Sequence, residues 1–166
     1  KTTNGGQNWS TITNNVTNGG KIDEIGLAKS DQDVIYFSDG ANIYKTDDGG
    51  NSWSNISNNL PYKHISYITV HPNDEDKVWV TFSGYTAGEK VYKSTNGGSG
   101  WQNISGTLPN IPVNTIVLDE TSNLETLYIG TDLGVFTTDS TVSDWSGFNN
   151  NSLPNVIVSE LEIQYQ

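Results

Sequence analysis

Lys93-Ser-Thr-Asn-Gly-Gly-Ser-Gly-Trp101 has two close counterparts in the chain, Lys1-Thr-Thr-Asn-Gly-Gly-Gln-Asn-Trp9 and Lys45-Thr-Asp-Asp-Gly-Gly-Asn-Ser-Trp53. A fourth, eroded copy, Thr137-Thr-Asp-Ser-Thr-Val-Ser-Asp-Trp145, lacks the Gly pair and reads as carrying one extra residue before its Trp. The tryptophans fall 44, 48 and 44 residues apart. That period suits four-stranded propeller blades and helical arrays of similar length, so the intervening segments must decide.

Those segments alternate as strands do. Ile65-Ser-Tyr-Ile-Thr-Val70 and Val78-Trp-Val-Thr-Phe82 have period two, and Val91-Tyr-Lys-Ser leads straight into a motif. One repeat earlier the equivalents are 22–29, 34–38 and 43–46; one repeat later they are 113–118, 126–130 and 135–138. No segment keeps a helical period. Each repeat therefore predicts three strands, the motif as a hairpin, and a fourth strand starting at the Trp. Leu60-Pro61, Leu108-Pro109 and Leu153-Pro154 follow at matching phase, and the prolines are expected to end the outer strand because they cannot donate to a ladder.

The expected fold is all-β, a propeller segment of antiparallel four-stranded blades at about 21–60, 64–108 and 112–153, with a half-blade at 1–17 and the first strand of a further blade at 155–166. Lys1 falls inside a motif, so a longer parent supplying the remaining blades is expected.

The motif's residue types follow from a tight reversal. Gly5/Gly6, Gly49/Gly50 and Gly97/Gly98 tolerate positive φ at the tip. Asn4, Asp48 and Asn96 precede them and can accept from turn amides, while the hydroxyls of Thr2, Thr46 and Ser94 can add a bond. Trp9, Trp53, Trp101 and Trp145 are expected to bury their rings against the neighbouring hairpin and to find an acceptor for the indole. In the eroded copy Thr137 and Asp139 take the hydroxyl and acid places.

These motifs resemble the Asp-box (BNR repeat) family, whose pattern is Ser/Thr-x-Asp-x-Gly-x-x-Trp/Phe; Asn4 and Asn96 depart from it by keeping the acceptor without the charge. The resemblance implies a structural hairpin between third and fourth strands, remote from the binding face. Its structural residues here are Thr2, Asn4, Gly6, Trp9, Thr46, Asp48, Gly50, Trp53, Ser94, Asn96, Gly98, Trp101, Thr137, Asp139 and Trp145. Leu127-Tyr-Ile-Gly-Thr-Asp-Leu-Gly-Val-Phe136 is similar to blades of bacterial secreted Asp-box proteins, including relatives of xyloglucanases and of the sortilin propeller.

Composition narrows the chemistry. Eight lysines, no arginine and nineteen acids give a net charge of −11, which repels a nucleic-acid backbone. The missing arginines exclude the triad that sialidases of the resembled family use. No cysteine is present for thiol metal sites or disulfides, and no apolar run approaches a membrane span. Absent Cys and Met with abundant Asn, Ser, Thr and Gly suit a bacterial exported protein. Neither a cofactor nor a metal is expected.

A glycosidase would need two carboxylates flanking a sugar. The candidates are Asp74, Glu75, Asp76, Asp119, Glu120 and Asp132, each with a turn-forming alternative; Asp132 is expected to fix the turn before Gly134. His64 and His71 have no motif partner. Tyr62, Tyr67, Tyr85 and Trp79 are conceivable sugar platforms, although alternation places most of them between sheets. Sequons occur at Asn8, Asn15, Asn55, Asn103 and Asn150, three of them at or just after box tryptophans and so following from the repeat, and Asp139-Ser140-Thr141 resembles the short O-glycosylation signal of Bacteroidetes exported proteins.

The functional expectation is a non-catalytic binding, adhesion or scaffold segment of a larger secreted or cell-surface bacterial protein. Its partners would be its sibling blades and a polysaccharide or protein ligand. The alternative is a portion of a xyloglucanase-like glycoside hydrolase.

Overall fold

The structure, a computed structural model, describes residues 1–12, 16–17, 20–148 and 154–165. Among them no residue is helical, and three four-stranded antiparallel sheets follow one another along the chain. The first holds β1 (Glu24–Leu27), β2 (Ile35–Ser38), β3 (Ile43–Thr46) and β4 (Ser54–Asn55). The second holds β5 (Ile65–His71), β6 (Asp74–Phe82), β7 (Val91–Ser94) and β8 (Gln102–Asn103). The third holds β9 (Val113–Leu118), β10 (Leu127–Thr131), β11 (Gly134–Thr138) and β12 (Ser146–Gly147).

Strand order in each sheet equals chain order, so every internal connection is a hairpin. The fold is all-β, built of successive blades.

The core lies between sheets. Tyr36, Ile43 and Ile56 of the first repeat share one cluster with Ile65, Ile68, Val78 and Val80 of the second. Trp79 and Val91 of the second share another with Ile116, Leu118, Leu127 and Ile129 of the third. Alternation explains the division, because successive side chains of one strand leave opposite faces, one toward each neighbour. Val78 and Val80 therefore face the first sheet while Trp79 faces the third.

Three expectations are adjusted. The fourth strands are two residues long, and Pro61 and Pro109 sit several residues past them, opening turns in which Lys63 and Ile111 donate to their carbonyls. No strand is assigned among the described residues of 1–17 or of 155–166, although Lys1 and Ser10 exchange backbone bonds at 2.8 Å. Asn15, Asn150 and Leu153 lie outside the described residues.

Register also resets the eroded motif. Thr46 stands opposite Ile35 and Ser94 opposite Val78, and the matching residue opposite Leu127 is Thr138. Thr137 thus holds the place of Lys45 and Lys93 rather than of the box hydroxyl, and no extra residue is needed. Its own hydroxyl donates to the Leu127 carbonyl, while that of Thr138 donates to the Asp144 carbonyl.

Candidate functional site

Within a sheet, the β1–β2 and β3–β4 turns share one end, and the β2–β3 turn and the crossing to the next sheet share the other. The box end is built for cohesion. The hydroxyls of Thr2, Thr46 and Ser94 donate to Asn4, Asp48 and Asn96 and accept from the amides of Gly6, Gly50 and Gly98. Each Asn or Asp then accepts from the amide four residues on, in Asn8, Ser52 and Gly100. Bonds from Ser52 and Thr46 hold the Asp48 carboxyl well below the usual carboxylate range. Asp139 instead accepts from Thr141, two residues on, which also depresses its titration.

Each hairpin is then fastened to the repeat before it. Trp53, Trp101 and Trp145 donate their indole N–H to the carbonyls of Ile12, Ile56 and Ile104, each three residues past the preceding Trp, at 2.7, 2.8 and 2.7 Å. Trp9 instead donates to its own Gly6 carbonyl and stays 73% exposed. A Cβ on Gly50 or Gly98 would strike the same isoleucine, lying 2.6 Å from Ile12 Cβ or 2.9 Å from Ile56 Cβ. Glycine there meets two demands, positive φ and close approach.

The lysine that opens each motif reaches forward. Lys1 lies 3.6 Å from Asp33, Lys45 2.8 Å from Asp76 and Lys93 2.8 Å from Glu125, Asp33 and Glu125 lying in the turn between the first two strands of the following sheet and Asp76 just after that turn, in β6. Burial opposes ionisation of Glu125, but hydrogen bonds from Lys77 and Lys93 outweigh it and hold its pKa at about 2. Sequence reading missed this contact and the Trp-to-Ile bond, although the recurrence of Lys before each box and of Ile after each Trp was visible.

The candidate acids disperse. Asp74 accepts from the Asp76 amide, Glu75 from Ser30, and Asp119 from Thr121, whose bonds lower its titration. Glu120 pairs with Lys29. Asp132 does not close the turn before Gly134; Thr131 does, accepting from Leu133 N and donating to the Gly134 carbonyl. Asp132 lies at the opposite end of the sheets from the boxes, where it accepts from Asn114 and, at 3.3 Å, from the Tyr85 hydroxyl.

That opposite end also carries exposed Tyr62 and Tyr85, together with His64. His64 Nδ1 is 3.2 Å from Ser83 Oγ and its Nε2 3.7 Å from Asp23, too far for the hydrogen bond an activated serine requires. His71 accepts from the Asn73 amide. Trp79 is fully buried, and Tyr67 is half-buried with its hydroxyl donating to Glu160. Near it, burial raises the Glu24 carboxyl, helped by Asp23 and Glu160. Among the described residues no group of three potential metal ligands gathers, and no helix is long and apolar enough to cross a membrane.

The family model described as "Sortilin-Vps10: Sortilin, neurotensin receptor 3" matches residues 1–105, from the first box past the outer strand of the second sheet. The chain belongs to the Sortilin-Vps10 family. This Sortilin-Vps10 chain superposes on a GH74 enzyme of Niastella koreensis with TM-score 0.63 at 20% identity, over 78% of itself and 21% of that chain. Against the GH74 xyloglucanase of Xanthomonas campestris the values are 0.63 and 13%, over 81% and 24%. Against YCF48 bound to D1 peptide they are 0.55 and 15%, over 80% and 41%. At such identities the likeness concerns the propeller fold alone. The chain spans about a quarter or less of the GH74 proteins. None of the curated proteins matches it.

Proposed function

We propose that the chain is a non-catalytic binding or scaffold segment of a larger secreted or cell-surface bacterial protein, in which further blades extend the ring. Its ligand face is the end of the sheets away from the boxes, carrying Tyr62, Tyr85, Asn114 and Asp132. The observation that carries this reading is the engagement of the candidate acids: Asp76 with Lys45, Glu120 with Lys29, Asp119 with Thr121, and Asp132 with Asn114. A carboxylate committed to a structural bond is a poor proton donor to a glycosidic oxygen. Exposed tyrosines beside amide and carboxylate groups suit a polysaccharide face or an extended peptide, and the −11 charge favours a neutral or cationic one.

One observation favours the glycosidase alternative. Burial, with Asp23 and Glu160 close by, raises the Glu24 carboxyl, the direction of shift that a general acid uses. Titration calorimetry of the chain with soluble xyloglucan and with cationic peptides, together with a reducing-sugar assay, separates the two. Binding weakened by Tyr62→Ala or Tyr85→Ala, with no sugar released, supports the binding segment. Release of sugar that Glu24→Gln abolishes would replace it with the glycosidase.

A further inference from the structure

The second sheet carries a longer turn at the box-distal end than its neighbours do. Eight residues, 83–90, separate β6 from β7, against four, 39–42, between β2 and β3 and two, 132–133, between β10 and β11. The 48-residue interval between Trp53 and Trp101, where the other intervals are 44, arises there.

Three side chains hold this loop by its carbonyls. Lys90 Nζ donates to the Gly84 carbonyl at 2.6 Å, Asn110 Nδ2 to that of Tyr85 at 3.2 Å and Asn103 Nδ2 to that of Gly88 at 2.6 Å. Lys90 Nζ also donates to Asn110 Oδ1 at 3.2 Å, so two of the three clamps are joined to each other. Lys90 itself is only 1% exposed, and the neighbouring Glu89 pairs instead with Lys63. An ammonium buried among neutral oxygens costs more than an apolar side chain of similar length in the same space. By register, Asn42 and Gly134 stand at its place in the other two sheets, so the blade's packing does not require a lysine there.

The clamp presents Tyr85. Asn110 holds its carbonyl, and its hydroxyl donates to Asp132, in the turn after β10, at 3.3 Å, yet the residue is 71% exposed. A ring fixed at its backbone and at its hydroxyl offers an open face with little ordering left to lose on binding. The Asp132 carboxylate beside it accepts from Asn114 and Tyr85 and has lone pairs left for further hydroxyl donors. Charge there is balanced, since Lys63 cancels Glu89 and Lys90 offsets Asp132.

We infer that the β6–β7 loop is the specificity-determining element of the box-distal face, that Tyr85 is a preset platform for one ring of a neutral polysaccharide, and that Lys90 is its positioning residue. The apolar face of a sugar stacks on the Tyr85 ring while its hydroxyls donate to Asp132. The inference rests on the ligand face proposed above and assigns the class of ligand that face takes.

Titration calorimetry with soluble xyloglucan as the neutral glycan, polygalacturonate as an acidic one and chitosan as a cationic one tests it. Near-ultraviolet circular dichroism from buried Trp79 and Trp145 checks that each variant is folded. Tyr85→Ala and Lys90→Met should each weaken xyloglucan binding about tenfold, the change that one lost aromatic contact makes. The double variant should bind no more weakly than Tyr85→Ala alone, because Lys90 acts through Tyr85. Asn110→Ala, at an exposed position, should weaken binding in the same way and carries the test if Lys90→Met fails to fold. Amide order parameters at 84–88 should fall in Lys90→Met and Asn110→Ala. Lys90→Met and Asn110→Ala variants that bind as the wild type does, additive losses in the double variant, or tighter binding of polygalacturonate or chitosan than of xyloglucan would overturn the inference. Loss of xyloglucan binding in Tyr62→Ala with Tyr85→Ala and Lys90→Met silent would overturn it while leaving the ligand face standing, whereas a wild type that binds none of the three glycans would overturn both.

Discussion

The indole N–H of Trp101 donates to the carbonyl of Ile56 at 2.8 Å, so a side chain of the second repeat closes a backbone group of the first. Ile56 in turn packs where a Cβ on Gly98 would have to be. The box thereby fastens its own turn and joins adjacent blades with the same residues.

Trp101→Phe keeps most of the ring and deletes the donor, leaving a carbonyl between blades without its partner. A loss of about 1–3 kcal/mol is expected in urea unfolding, the range for a hydrogen bond whose buried acceptor is left unsatisfied. Trp9→Phe should change almost nothing, because that exposed indole serves only its own hairpin. Equal effects at the two positions would break the link between the bond and cohesion of the blades.

Gly98→Ala and Gly5→Ala separate strain from crowding. Both glycines have positive φ, but a Cβ on Gly5 meets nothing within 4 Å, whereas on Gly98 it meets Ile56. Gly5→Ala should cost about 1 kcal/mol from backbone conformation alone, and Gly98→Ala clearly more. In an Ile56→Ala background the excess at Gly98 should shrink toward the Gly5 value. A double-mutant cycle with no coupling would refute the packing explanation.

Glu125 links acid stability to the second blade boundary. Its folded pKa of about 2 lies below the ordinary value of 4.5, so its contribution is complete above pH 4.5 and is lost as pH falls from there through about 2. Comparing melting temperatures over that window, Glu125→Gln should be less stable than wild type near neutrality and converge with it in acid. Parallel curves would mean that the contacts with Lys77 and Lys93 carry no net energy.

The strands and boxes were legible because their signals are local: period-two alternation, Gly pairs and a spaced Trp. Contacts between repeats were not, since Lys45 with Asp76 and Trp101 with Ile56 join residues 31 and 45 apart whose meeting depends on how sheets stack. Asp132 was misread for a related reason. A turn acid before Gly is ordinarily local, yet here Thr131 closes the turn and frees Asp132 to reach Asn114. At the eroded box, similarity favoured Thr137, and only the pairing of Thr138 with Leu127 corrected the offset by one.

At its box, that same second blade boundary uses a different clamp, and that difference is testable. With no Gly pair to admit Ile104, Asp144 accepts from the Thr107 amide at 2.7 Å and its hydroxyl at 2.5 Å, joining the last box to the crossing that leaves the second sheet. Those bonds, Thr107's hydroxyl first, hold the Asp144 carboxyl below the usual range. Asp144→Ala should lower the melting temperature, and Thr107→Val should lower it less because the amide bond survives. The double variant should fall no further than Asp144→Ala alone, since the hydroxyl's partner is already gone. Because the folded pKa is depressed, the Asp144→Ala deficit should fade as pH drops below the ordinary aspartate value of 3.8. Additive losses, or a deficit unchanged in acid, would show that the two residues act separately.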